Sequence, residues 1–379
     1  MNITNVECFP VWDGSRAFVF VVVDTDEGLS GVGEAGLTGR ALAVAGVVEH
    51  FKPQLIGQDA NRIEHLWQLL FRGGFFPAGN IGASALSAID IALWDIQGKA
   101  RGVPVYQLLG GLTRDRVVCY PHNQGRTPEA LVASCQQSVS EGWKFCRWDL
   151  PYHDNVLEPG RCVRESIALF EAVRSAVGDD IELICDLHTR LDPAWAIRLC
   201  RESERFHPFF MEDPIRAENM DGVRHVRQHV STPLALGEHF VGKWAFRQLI
   251  EEELTDYARM DVCICGGISE AKKIAGWCET HYIHLAMHNP LGPVCAAASL
   301  HLSLSSPLVG VQEQPRKPGS ILTDVFPVQM AWADGYLLPP TRPGLGIEFD
   351  REAARAHPLP VQPGRGIHVR RLDGSFTNW

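Results

Sequence analysis

The feature that most constrains this chain is a row of acidic and histidine residues between Asp186 and Glu313, each closing a short apolar run. The runs read Leu-Ile-Cys-Asp186-Leu-His188, Phe-Phe-Met-Glu212, Leu-Ala-Leu-Gly-Glu238, Ala-Arg-Met-Asp261, Leu-Ala-Met-His288 and Gly-Val-Gln-Glu313. From Asp186 onward the steps to Glu212, Glu238, Asp261, His288 and Glu313 are 26, 26, 23, 27 and 25 residues. A strand, a helix and two loops fill such a length in a β/α unit. Polar residues at the same end of consecutive parallel strands share one mouth, where a (β/α)8 barrel does its chemistry. Eight strands are expected, at 117–120, 145–148, 183–187, 209–212, 234–238, 257–262, 284–288 and 309–313. Amphipathic helices such as 129–141, 160–176 and 243–253 fit between them.

A barrel leaves much of the 379 residues unused. Residues 1–34 read as a β-meander, helical patterns cover 40–56, 60–72 and 81–101, and the chain beyond Glu313 is rich in Pro and Gly. The expected fold class is therefore α/β: a (β/α)8-type barrel with an N-terminal α+β capping domain, completed by a C-terminal tail that returns to it. The expected divisions are 1–115, 116–320 and 321–379. A net charge of −10 argues against nucleic acid or an anionic membrane as partner. Eleven cysteines scattered through apolar runs suit reduced core thiols and a cytoplasmic protein, and Cys263-Ile-Cys265 lacks zinc-site spacing. No basic-then-apolar leader and no apolar run of membrane-spanning length is read.

Asp186, Glu212 and Glu238 fall on the third, fourth and fifth strands, where like charges repel unless a cation neutralises them. An all-oxygen set of this kind suits Mg2+. His188 lies two residues after Asp186, and strand alternation points it into the mouth. Asp261 and His288 end neighbouring strands, so a carboxylate can orient the imidazole and raise its basicity. Glu313 can donate to a developing oxyanion if protonated, or orient a neighbour. Arg147 can clamp a carboxylate, and Asp149 pairs with it or faces substrate. Thr38, His122 and His239 complete, with Asp149, the candidate substrate contacts. These parts describe removal of a proton α to a carboxylate held by a divalent ion, with an acid on the opposite face.

With these residues placed, the chain resembles the enolase superfamily across nearly its whole length, and within it the mandelate racemase-type sugar-acid dehydratases acting on D-mannonate or D-galactonate. The resemblance rests on Ile89-Asp-Ile-Ala-Leu-Trp-Asp-Ile-Gln-Gly-Lys99, Pro104-Val-Tyr-Gln-Leu-Leu-Gly-Gly111, Asp186-Leu-His188, Met211-Glu-Asp-Pro214, Gly237-Glu238, Gly266-Gly267 and Pro343-Gly-Leu-Gly346. It implies that Asp186, Glu212 and Glu238 bind Mg2+, that His188 expels the 3-hydroxyl as the acid, and that loops near 36–40 and 73–80 close over substrate. The mannonate-type enzymes carry a tyrosine twelve positions after the arginine matched by Arg147; here that position is Pro159, with Tyr152 and His153 nearby. Asp261 with His288-Asn-Pro-Leu-Gly-Pro293 instead resembles the galactonate-type enzymes, whose base is a His–Asp pair. The resemblance thus implies a hydro-lyase with His288–Asp261 as base, acting on an aldonate such as galactonate, gluconate or mannonate to give a 2-keto-3-deoxy acid. An epimerase or cycloisomerase of an acid sugar, or a non-catalytic binder of small acids, stays open. Relatives commonly form homo-oligomers, dimers or octamers.

Overall fold

The computed structural model describes residues 1–360 and 368–377. Three antiparallel strands open the chain: β1 (Ile3–Trp12), β2 (Ala17–Thr25) and β3 (Ser30–Ala35), in that spatial order. Helices α1 (Ala41–Leu55), α2 (Ile63–Arg72), α3 (Gly79–Arg101) and the short α4 (Val105–Leu108) follow. The small residues of α3 let β3 lie directly on its backbone: a Cβ on Gly33 would sit 1.8 Å from the Ala88 carbonyl oxygen. Asp95 on α3 accepts from Val32 N (3.1 Å) on β3 and from Leu345 N (2.8 Å) in the tail, joining three segments at one buried carboxylate.

Eight parallel strands then build the barrel: β4 (Val117–Tyr120), β5 (Phe145–Asp149), β6 (Glu182–Asp186), β7 (Phe210–Glu212), β8 (Leu234–Leu236), β9 (Tyr257–Ala258), β10 (His284–Met287) and β11 (Val309–Glu313). Each pairs with its successor from β5 to β11, and β11 pairs with β4. Asn123 closes the remaining seam, its amide donating to the Arg147 carbonyl (2.8 Å) while its Oδ1 accepts from Arg147 N (3.1 Å). Helices α5 (Pro128–Ser140), α6 (Pro159–Val177), α7 (Pro193–Ser203), α8 (Met220–Arg227), α9 (Gly242–Glu251), α10 (Gly267–Thr280) and α11 (Pro293–Leu304) connect the strands. Proline in the first turn and an N-cap from Thr127 or Glu158 fix the starts of α5 and α6.

No helix packs directly after β11 as one does after each earlier barrel strand. The chain instead forms a hairpin, β12 (Trp332–Ala333) and β13 (Tyr336–Leu337), that pairs antiparallel with β4. It then returns to the first sheet through α12 (Arg351–Arg355). Phe326 and Phe349 pack on Phe20, Phe349 also meets Phe9, and Trp12 N donates to the His357 carbonyl. The strands are shorter than the apolar runs suggest. At β8, Gly237 (φ +129°) turns the chain out of the sheet before Glu238, and a Cβ there would meet the Phe246 ring at 2.7 Å.

Strand alternation stacks the barrel interior in two layers. Phe145, Ile184, Phe210, Ala235, Ala286 and Val311 form a separate apolar plug. Two residues further along their strands stand Arg147, Asp186, Glu212 and Glu313, so the same period that fills the plug aims charge at the open end. All eleven cysteines are unpaired, ten of them buried. Among the described residues no helix is long and apolar enough to cross a membrane.

Candidate active site

Asp149, Asp186 and Glu212 are neighbours in register across β5, β6 and β7. The metal set expected from the sequence divides into two adjoining groups. Glu212, Asp213 and Glu238 place oxygens within 4.8 Å of one another, and Asp186 forms a second such group with Asp149 and His188. Arg147 explains the division: buried, it donates to both Asp186 and Asp149. Glu212 still lies in the field of Asp186 and Glu238, and burial first, then those charges, drives its carboxyl well above the ordinary range. Its Oε2 is buried with no hydrogen-bond donor among the described residues, and so is Asp213 Oδ2. Carboxyls in this mouth outnumber the guanidiniums that face them. Orphaned buried oxygens in an acid-rich pocket are what a hard divalent cation satisfies, so the residues present fit a metal.

Arg259, which the sequence reading passed over, supplies the internal cation. It is fully buried, and its guanidinium reaches Glu212, Glu238 (3.5 Å) and Glu313 (2.8 Å) and donates to the Tyr120 hydroxyl (2.6 Å). Burial alone would raise the Glu313 carboxyl, but Arg259, His288 and His122 hold it far below its usual range. Glu313 is thus an ionised acceptor: Asn289 N donates to its Oε2 (2.9 Å) and His122 Nε2 lies 2.6 Å from its Oε1. Of the two parts expected for Glu313, donor or orienting group, a guanidinium and two imidazoles facing it favour the second.

His288 Nδ1 lies 2.7 Å from Asp261 Oδ2, and Cys263 N fixes the other Asp261 oxygen at 2.7 Å. His288 Nε2 faces inward, 3.4 Å from Glu238 Oε2. Burial pulls this imidazole down, yet Glu238, Glu313 and Asp261 outweigh it and hold the ring above its ordinary value.

His188 reaches the mouth by a route other than strand alternation. Strand β6 ends at Asp186, and His188 (φ +46°) and Thr189 (φ +55°) adopt left-handed backbone. His188 N donates to Asp186 Oδ1 (2.7 Å), while the ring puts Nε2 3.0 Å from Asp186 Oδ2 and Nδ1 3.6 Å from Asp149. Burial, helped by Arg147 and Arg190, lowers this imidazole against the pull of Asp186 and Asp149.

The remaining candidates spread around the rim. His239 is more than half exposed, 3.7 Å from Glu238. Thr38 accepts from Arg16 (2.6 Å) in the loop after β3. At the β5 end, Pro159 opens α6, the guanidiniums of Arg126 and Arg190 both lie over the Tyr152 ring, and His153 is engaged by Glu165 (2.8 Å).

A closed parallel barrel under an α+β cap, with carboxylates on successive strand ends and two flanking imidazoles, defines a class of acid-handling barrel protein. Residues 13–110 match the mandelate racemase/muconate lactonizing enzyme N-terminal domain, and 130–354 match the enolase C-terminal domain-like family. A D-mannonate dehydratase of Caulobacter vibrioides is 39% identical, with 96% of both chains covered. A D-galactonate dehydratase family member of Streptomyces bingchenggensis is 37% identical, covering 96% of this chain and 95% of its own. A crystal structure of a Pantoea ananatis enolase with bound D-gluconate and Mg superposes with a TM-score of 0.93 at 34% identity, covering 100% of this chain and 99% of that one. The chain belongs to the mandelate racemase/muconate lactonizing group of the enolase superfamily.

Proposed function

We infer that this protein is a Mg2+-dependent sugar-acid dehydratase, a hydro-lyase that converts an aldonate to its 2-keto-3-deoxy acid. The observation that carries the reading is the pair of carboxylate-held imidazoles, His188 and His288, on two sides of one acid cluster. Asp186, Glu212 and Glu238 are the residues that would hold the cation. When bound, Mg2+ supplies a Lewis acid for the substrate carboxylate as that group gains negative charge. His288, kept basic and oriented by Asp261, takes the proton from C2 at Nε2. His188 gives a proton to the departing 3-hydroxyl, water leaves, and the resulting enol tautomerises to the keto acid. Arg147 pairs with Asp186 and holds the Asp149 carboxyl low beside His188, while Arg259 and Glu313 order the floor of the site. Thr38, His122, Asp149 and His239 contact the polyol. A base on the His288 side suits a 2R acid such as galactonate or gluconate, and the D-gluconate in the Pantoea relative supports that class.

A cytoplasmic homo-oligomer, dimer or octamer, belongs to the same reading. Phe75 and Phe76, 94% and 80% exposed in the loop before α3, offer it apolar surface.

The test is a panel of aldonic acids with Mg2+, keto-acid product being read as the semicarbazone and EDTA as the reversal. Product from a 2R acid, abolished by chelation and restored by Mg2+, is expected. Product from mannonate in preference would move the base away from His288. Silence across the panel, with no C2 proton exchange in D2O, would remove the dehydratase reading.

A further inference from the structure

The cap touches the barrel mouth at the end of β3, on the two loops that carry Asp261 and His288. Glu34, fully buried, accepts from Gly292 N (2.7 Å) and Cys295 N (2.9 Å), in the first turn of α11 just after His288. Helix α11 has no side-chain cap from its own N-cap residue, Gly292; the acceptor comes from the other domain. Two residues beyond Glu34, Gly36 N donates to the Cys263 carbonyl (3.0 Å), in the turn after Asp261. Arg16 adds a third tie, donating to the Pro290 carbonyl and to Thr38 in the adjoining loop.

These contacts converge on one carboxylate. Cys263 N donates to Asp261 Oδ1, and the Cys295 thiol lies 3.9 Å from the same oxygen. The approach is also close enough to need glycine on both sides. A Cβ on Gly292 would come within 2.8 Å of Glu34 Oε1, and one on Gly36 within 2.3 Å of Ile264 Cγ1. Gly292 has an ordinary φ of −99°, so space, and not backbone conformation, is what a side chain there would violate.

We propose that Glu34 is a positioning residue for the Asp261–His288 pair: the end of β3 holds both loops at once, so the base is set in place by the seated cap. The proposal rests on the reading of His288 as base. It gives the cap a part in catalysis separate from covering substrate, because the loops that carry the base are held by the end of β3.

The test uses the full chain with Glu34→Ala, Glu34→Gln and Gly292→Ala, the last breaking the same contact without altering Glu34. Alkylation rates of individual buried cysteines, resolved by mass spectrometry, report local opening. Cys263 and Cys295 are expected to label about tenfold faster in Glu34→Ala and Gly292→Ala, with Cys119 and Cys200 unchanged. On a turned-over sugar acid, kcat should fall about a hundredfold with KM nearly constant, and Glu34→Gln, which keeps one acceptor, should fall between. Unchanged labelling of Cys263 and Cys295, or equal acceleration of all four thiols, overturns the clamp. Selective labelling with undiminished kcat overturns positioning of the base. An inactive wild type counts against the dehydratase reading alone, and the labelling still decides whether β3 holds the loops.

Discussion

The two imidazoles at the mouth are held by opposite means. His288 leaves β10 without backbone strain, and its Nδ1 is tied to an Asp261 that is itself fixed by a backbone amide. His188 lies past the end of β6 in a left-handed turn, beside an Asp186 already shared with Arg147. Acids surround the first ring and raise it; burial and guanidiniums prevail at the second and lower it. A parallel sheet therefore gives two chemically identical side chains divergent proton affinities by choosing which neighbours end the adjacent strands.

The sharpest way to break the comparison is to remove His288, the proposed base. His288→Gln is expected to lower kcat on a sugar acid by about 10³–10⁴-fold and to stop C2 exchange in D2O. Retained exchange would show that another group takes the proton. Next in size is Arg259→Leu, which leaves Glu212, Glu238 and Glu313 without their shared guanidinium. In Mg2+-free buffer it should cost about 3–5 kcal/mol of stability by urea unfolding, and a loss below about 1 kcal/mol would show that the acids are neutralised otherwise. His188→Asn tests the other imidazole: dehydration should fall about 10²–10³-fold while C2 exchange continues, as the proposed assignment of proton removal and hydroxyl departure to different rings requires. Equal loss of both would merge the two roles.

The smallest effect concerns a histidine outside the site. His301 on α11 accepts from Tyr106 N at the cap–barrel junction, and burial lowers its pKa to about 4. The unfolded chain binds a proton near 6.5 that the folded chain refuses, so stability falls as pH drops from about 7 towards 4. Between pH 7 and 5.5 this site should cost about 1 kcal/mol, a pH increment that His301→Gln removes from the urea midpoint. An identical pH response in the variant would assign the loss elsewhere.

The barrel was legible because a strand-end polar residue recurs at β/α spacing, and every expected strand has its counterpart. What the period could not show was where each strand stops. The run through Val262 contains a strand of only two residues, because the chain turns at Asp261, whose own carboxylate caps the turn. The acids and histidines of the site were visible as outliers in apolar runs. Arg259 was equally out of place, two residues before Asp261, but an arginine is ordinarily a surface residue and its partners are more than twenty positions away in either direction. Glu34 was hidden for the same reason: its donors lie at the start of α11, on the far side of almost the whole barrel in sequence.

The returning tail has a consequence for how the molecule is made. Phe326, Phe349 and Arg351 complete the packing of a sheet built from residues 3–35, with Arg351 paired to Asp24 and Phe20 touching both phenylalanines, which also touch each other. A ribosome delivers that sheet before the barrel, and its last wall only after all eight barrel strands. The meander must therefore wait, partly uncovered, through most of translation, and its apolar face is the surface that a chaperone would meet on the nascent chain.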